Sequence, residues 1–220
     1  MRWAGFLFVV CLTSEIAATA TPVSVIPDEV YHYREVTGNT VKAVEWRLRK
    51  GDLLTLTTRS RREQYVTVTD SNYDTRRWKA STADGVTDFT AKRDGRTIVV
   101  SGRFKGEPVK KVLAIDNCPW YQATSLSLRE MIASGDPERL FWTIRCDTLT
   151  VHKLRAINKG VERLESADNM LHIRLTLPGL LAPFWKSDYW FALPEGVFFR
   201  FQGPSGPPGS PLTTVTRTAG

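Results

Sequence analysis

The 220-residue chain carries 30 Lys and Arg against 23 Asp and Glu, a formal net charge of +7, with 42% hydrophobic and 10% aromatic residues. That balance excludes a wholly disordered chain, and the length suits one large domain or two small ones. No apolar run reaches the roughly 18–20 residues of a membrane-spanning helix, and three cysteines are too few to build a fold from disulfides alone.

The chain opens with Arg2 and the apolar stretch Trp3 to Leu12 (WAGFLFVVCL), followed by Ala18-Thr19-Ala20. This is the pattern of a cleaved secretory leader. The polar break at Thr13-Ser14-Glu15 and the immediate Thr21-Pro22 oppose a buried N-terminal helix, because proline stops it. A lipid anchor at Cys11 needs a small residue before the cysteine, and Phe8-Val9-Val10 are bulky. The expected organisation is a signal peptide at 1–20, cut between Ala20 and Thr21, then one β-rich domain at 21–220 in the periplasm of a Gram-negative envelope. Cleavage removes Cys11 and leaves Cys118 and Cys146, which an oxidising compartment is expected to pair. Neither has a CxxC neighbour and His152 stands alone, so no metal site is expected.

Along the mature chain the apolar residues alternate with period two, the signal of half-buried antiparallel strands. Val44, Trp46 and Leu48 alternate with Glu45, Arg47 and Arg49, and Leu54 and Leu56 alternate with Thr55 and Thr57. Arg93-Asp94-Gly95-Arg96 between Thr87–Lys92 and Thr97–Phe104 predicts a two-residue hairpin. From Trp120 to Ala133 the alternation stops, and Leu128 with Ile132 falls at helical spacing. Pro119 suits the start of this helix, Ser127 to Glu130 offers a capping box for a later start, and Ser134-Gly135 followed by Pro137 is a stop. Strand patterning then resumes. Leu140, Trp142 and Ile144 interleave with Phe141, Thr143 and Arg145; Leu171, Ile173 and Leu175 interleave with His172 and Arg174; Val197, Phe199 and Phe201 oppose Arg200. Turn signals every 8–12 residues or so imply about ten strands in one strongly curved antiparallel sheet, an open or half barrel, with one helix at about 120–133. A two-sheet sandwich is the alternative.

No HExxH, GxSxG or HxH motif occurs, so the signatures of zinc and serine hydrolases are missing. The glycine-rich run Gly203 to Gly209 lacks the Gly-Lys-Ser/Thr ending of a phosphate loop, and its prolines remove N–H donors. It reads as a rigid connection. Phe184-Trp185-Lys186-Ser187-Asp188-Tyr189-Trp190-Phe191 is the densest aromatic cluster, suited to core packing, to a greasy cleft or to a membrane surface. The basic doublets Arg61-Arg62, Arg76-Arg77 and Lys110-Lys111 read as solvated surface or as attraction to an anionic envelope surface. Nucleic acid is not an expected partner of an exported chain.

Two stretches resemble a family of exported bacterial proteins of unknown function. One is Pro119-Trp120-Tyr121-Gln122 running into Ser127-Leu128-Arg129 and Phe141-Trp142-Thr143-Ile144-Arg145. The other is Trp185-Lys186-Ser187-Asp188-Tyr189-Trp190-Phe191, with Gly196-Val197-Phe198-Phe199-Arg200 and Gly206-Pro207-Pro208-Gly209-Ser210-Pro211. The resemblance implies a periplasmic all-β domain, more distantly similar in layout to the half-barrels of outer-membrane lipoprotein chaperones, whose concave face cradles acyl chains. The resulting expectation is a non-enzymatic carrier of a lipid or other amphipathic ligand, without cofactor. Trp46, Leu48, Leu56, Trp142, Ile144 and Phe199 are its candidate ligand-facing residues. The alternatives are an envelope hydrolase or isomerase using Asp116, Asp188 or His152, and a structural envelope-assembly partner.

Overall fold

The structure, a computed structural model, describes residues 28–164, 169–204, 206 and 209–218; the expected leader and its Ala20–Thr21 cut lie outside them. The first eight strands are β1 (Glu29–Thr37), β2 (Thr40–Arg49), β3 (Leu54–Arg59), β4 (Glu63–Thr69), β5 (Thr75–Thr82), β6 (Asp88–Asp94), β7 (Thr97–Phe104) and β8 (Glu107–Ala114). Two short helices, α1 (Thr124–Ser127) and α2 (Arg129–Ser134), separate them from β9 (Glu138–Arg145), β10 (Thr150–Arg163), β11 (Asn169–Thr176), β12 (Lys186–Ala192), β13 (Val197–Pro204) and β14 (Leu212–Arg217). A 3-10 turn, Gly179–Phe184, joins β11 to β12. The strands form one antiparallel sheet in the order β8-β7-β6-β5-β4-β3-β2-β1-β14-β13-β12-β11-β10-β9. Each half is therefore a meander, and β14 closes onto β1 to join the halves, with Tyr33 opposite Arg217 and Thr37 opposite Thr213.

The expected hairpin is present, one residue later than the Asp94-Gly95 pair implied. Asp94 still pairs with Thr97, so Gly95 and Arg96 form the turn. Gly102 answers a different need: a Cβ there would come within 2.7 Å of the Phe89 Cα on the facing strand, which only glycine avoids.

A sheet of this width curls, and here it curls past closure. One buried cluster gathers Tyr33, Trp46, Leu48, Leu56, Leu171, Ile173, Leu175, Phe191 and Phe198 around Leu126, Leu128 and Met131 of the helical segment. A second gathers Trp78, Phe89, Ile98 and Val100 of β5 to β7 with Trp120, Ile144 and Leu149. Strands β9 and β10 serve both. Phe141, Leu154 and Ala156 face the first cluster, whereas Ile144, with half-buried Trp142 and Val151, faces the second. The two ends of the sheet thus overlap like the edges of a scroll. Lys105 Nζ donates to the Asp147 carbonyl at 2.7 Å and Lys111 Nζ to that of Thr148 at 3.2 Å, tying the β7–β8 hairpin to the β9–β10 turn. No helix among the described residues is long and apolar enough to cross a membrane.

Candidate functional site: the sheet interior and its helical plug

The interior of the curl is filled by the helical segment. The chain reaches it through a clasp built from Asp74, Thr75 and residues 119–122. Trp120 forms a parallel bridge with Trp142, with Trp142 N donating to the Pro119 carbonyl and Tyr121 N to the Trp142 carbonyl, both at 2.8 Å. The Gln122 side chain continues this ladder as if it were a peptide. Its Oε1 accepts from Ile144 N and its Nε2 donates to the Ile144 carbonyl, both at 3.0 Å, while Trp120 Nε1 also donates to Oε1 at 3.0 Å. On the other side Thr75 N donates to the Trp120 carbonyl at 2.8 Å, Trp120 N to Asp74 Oδ1 at 2.9 Å and Gln122 N to Thr75 Oγ1 at 3.1 Å. Arg93 holds Asp74 from a second direction at 2.8 Å. Pro119 therefore does not start the helix; the residues after it are used as strand.

Helices α1 and α2 meet at Leu128, whose φ of −69° keeps it helical, and Gly135 ends the segment in the left-handed conformation at φ +71°. Ser127 makes no cap bond; it is buried and its Oγ has no hydrogen-bond partner among the described residues. The capping box is absent because α1 already makes Ser127 helical. The polar tethers of this plug are few and long. Trp46 Nε1 donates to Ser125 Oγ at 3.4 Å, and Arg129 reaches Glu29 Oε2 at 3.3 and 3.4 Å. Only Thr124 Oγ1 to the Tyr189 hydroxyl, at 2.8 Å, has ordinary length. Arg129 is 7% exposed, its guanidinium lies 5.3 Å from the Trp46 ring centre, and its Nε is unpartnered. Burial pushes the Glu29 carboxyl up, but contacts from Lys50 and Arg129 outweigh it and hold the group below its ordinary value. At the exit, Arg139 binds Asp136 and reaches Glu130 at 3.4 Å and the Tyr121 hydroxyl at 3.3 Å.

Of the six ligand-facing candidates, the structure brings three together. Trp46, Leu48 and Leu56 line the interior beside the plug. Trp142 and Ile144 belong to the overlap between the sheet ends. Phe199 is the extra residue of a bulge opposite Trp190 and Phe191, half-buried with the Arg217 guanidinium 5.7 Å from its ring. Cys118 and Cys146 are free thiols, so the expected bond is not formed. Cys118 lies two residues before Trp120, which bridges Trp142 in parallel, and Cys146 lies four residues after Trp142, just past the end of β9; the two therefore lead away from the bridge in opposite directions, whereas a disulfide tolerates about 7 Å between Cα atoms.

Asp116, Asp188 and His152 do not converge. Asp116 is engaged by Lys153, by Trp142 Nε1 at 2.8 Å and by Cys118 N at 2.9 Å, and these bonds hold its carboxyl well below the usual range. Asp188 instead accepts from Arg174 Nε at 2.8 Å and lies 2.7 Å from His172 Nε2. His172 stacks on Trp190 at 4.9 Å, and Trp190 Nε1 donates to Glu162. Sequence reasoning missed this group because its members become neighbours only through the registers of β10, β11 and β12.

No family model matches the sequence, and no curated protein matches it. Solved structures do match its shape. A β-barrel-like protein of a domain of unknown function, DUF1849, from Brucella abortus superposes with a TM-score of 0.57 at 10% identity, covering 87% of this chain and 94% of that one. A LolA superfamily protein from Nitrosomonas europaea aligns over 87% of this chain and 83% of its own at 8% identity, with a TM-score of 0.27. The chain shares its fold with the β-barrel-like DUF1849 protein, in line with the resemblance to an exported family of unknown function.

Proposed function

We propose that this chain is a non-enzymatic carrier in the periplasm, holding an amphipathic molecule with an acyl chain and one anionic head between the curved sheet and the helical plug. The observation that carries the reading is the plug itself. The sheet interior is filled by a short helical segment contributing Leu126, Leu128 and Met131, not by an opposing wall of the sheet, so an apolar chain can replace those contacts without unpairing a strand. Trp46, Leu48 and Leu56 are the ligand-facing residues in this reading. All but one of the side-chain tethers that hold the plug to the sheet are long, and two of its buried polar atoms, Ser127 Oγ and Arg129 Nε, lack partners among the described residues. A buried guanidinium with spare donor capacity beside apolar walls suits a carboxylate or phosphate head. The leader-like N-terminus supports export, and the fold shared with the DUF1849 protein is compatible with a binder.

The test is organic extraction of the purified protein with mass spectrometry, followed by titration of the stripped protein with a fluorescent fatty acid. Micromolar binding that falls at least tenfold in Arg129→Met for the fatty acid, but less for the matching alcohol, is expected. An extract free of lipid together with no probe binding overturns the reading.

A further inference from the structure

In an up-and-down sheet every second turn emerges at the same end. Here the registers place the β1–β2 turn, the β3–β4 turn, the β11–β12 loop and the β13–β14 loop together: Thr37 pairs with both Thr40 and Thr213, Arg59 with Gln64, Thr176 with Lys186 and Pro204 with Leu212. The plug exits at the opposite end, where Ile132 lies against Gly196 of the β12–β13 turn.

The turn end exposes apolar side chains that nothing in the fold uses. In the β11–β12 loop Leu180 is 94% exposed, Phe184 68% and Leu181 57%; beside them Leu212 is 57% exposed and, on β2, Val41 54%. Trp185 Nε1 donates to the Gly206 carbonyl at 2.8 Å, which fastens the loop bearing Leu180 and Phe184 to the loop before Leu212. Leu180, Leu181 and Phe184 protrude from their loop, and Pro178 and Pro183 keep the segment from folding back as strand.

Cations at this end exceed the ion pairs made there. Lys42 is matched by Glu35 and Glu63, each at 3.7 Å, and Arg59 donates to Gln64. Arg61 and Lys186 form no ion pair among the described residues, and Arg62 has Asp84 of the β5–β6 turn as its acidic neighbour, beyond ion-pair distance. An open groove of about 650 Å³ between the first two turns is lined by Val41, Lys42, Arg61, Arg62 and Glu63. At the opposite end four acids are answered: Glu29 by Lys50, Asp70 by Arg76, Asp136 by Arg139 and Glu138 by Arg155.

From these placements we infer that the turn end is a docking surface for an anionic lipid bilayer: Leu180, Leu181 and Phe184 enter the headgroup region while Arg61, Arg62 and Lys186 meet lipid phosphates. Exposed apolar tips carry the insertion, and cations at the same end of the sheet supply the attraction to anionic headgroups; reversible surface binding needs both signals. The inference stands apart from ligand binding, because none of these side chains lines the interior.

Flotation of the full chain with vesicles tests it. The expected result is binding to phosphatidylcholine vesicles containing one fifth phosphatidylglycerol, at least tenfold weaker binding to pure phosphatidylcholine, and release in 0.5 M salt. Leu180→Ser with Leu181→Ser and Phe184→Ser, and separately Arg61→Glu with Arg62→Glu, each lower the anionic-vesicle affinity at least tenfold while leaving circular dichroism and fatty-acid binding unchanged. A Leu180→Trp variant, read by selective excitation against the unaltered chain, shifts its emission to the blue on anionic vesicles. Unchanged affinity in both sets of variants, equal binding to neutral vesicles, or an unshifted Leu180→Trp emission overturns the inference. So does sedimentation showing that the exposed leucines instead pair two copies of the chain.

Discussion

The clasp and the plug are consecutive in sequence and opposite in construction. Between residues 119 and 122 nearly every backbone polar group and the whole Gln122 amide are bonded at 2.8–3.1 Å. From 124 onward the bonds from α1 and α2 to the sheet lengthen to 3.3–3.4 Å, with the Thr124 bond at 2.8 Å the exception, and buried polar atoms go unpartnered. Dense short bonds over a buried tryptophan make a part that is costly to open. Apolar packing with sparse long bonds makes a part whose contacts another apolar chain can replace. The contrast teaches where this fold is rigid and where it can exchange.

Trp120→Ala attacks the clasp most directly. The side chain is fully buried between the sheet ends, and truncation is expected to cost about 3–5 kcal/mol, read as a lower urea midpoint. Gln122→Leu is nearly isosteric, yet it leaves the Ile144 N–H and carbonyl and the Trp120 indole N–H without partners, at about 2–3 kcal/mol. On the plug side, Arg129→Met is expected to change stability by less than about 1 kcal/mol, because Glu29 keeps Lys50 and a buried charge gives way to packing. Ser127→Ala is expected to be neutral or to stabilise by a few tenths to about 1 kcal/mol, since it deletes an unpartnered buried hydroxyl. A loss at either plug position as large as that of Gln122→Leu would erase the distinction.

The smallest effect separates the two parts by sign. Glu29, at the plug, is held below its ordinary 4.5, so its stabilising contribution is complete above that value and is lost as pH falls through the lower folded one. Asp74, in the clasp, is raised above its ordinary 3.8 because burial outweighs its bonds to Trp120 N and Arg93. Its contribution is present below 3.8 and is lost as pH rises through the raised folded value. Urea melts on the acid side should therefore show a shallower loss of stability for Glu29→Gln and a steeper one for Asp74→Asn than for the unaltered chain.

Local pattern reached the strands because period two follows from the pleat alone, and it reached the helical segment because Leu128 and Ile132 can share a face only at helical spacing. Alternation put His172 on the face opposite Leu171 and Ile173, but gave neither its burial nor its company with Asp188, Trp190 and Glu162, which sit on strands aligned by pairing across the sheet. Alternation put Trp46, Leu48 and Leu56 on one dry side, which the structure turns to the interior, and Trp142 and Ile144 on another, which it turns to the overlap of the sheet ends. Alternation says which residues share a side; it does not say what lies against that side.

Composition and periodicity thus determined by themselves that the chain would form antiparallel sheet interrupted by a helical segment, with a curved sheet or a sandwich both open, because backbone geometry links each residue's face to its place in the strand. Tertiary structure alone decided that β9 and β10 have two dry faces, that Gln122 substitutes for a strand peptide, and that Arg61 and Leu180 emerge at the same end. Those outcomes depend on how far the sheet curls and in which register its strands meet, and curl and register are settled by contacts between residues distant in the chain.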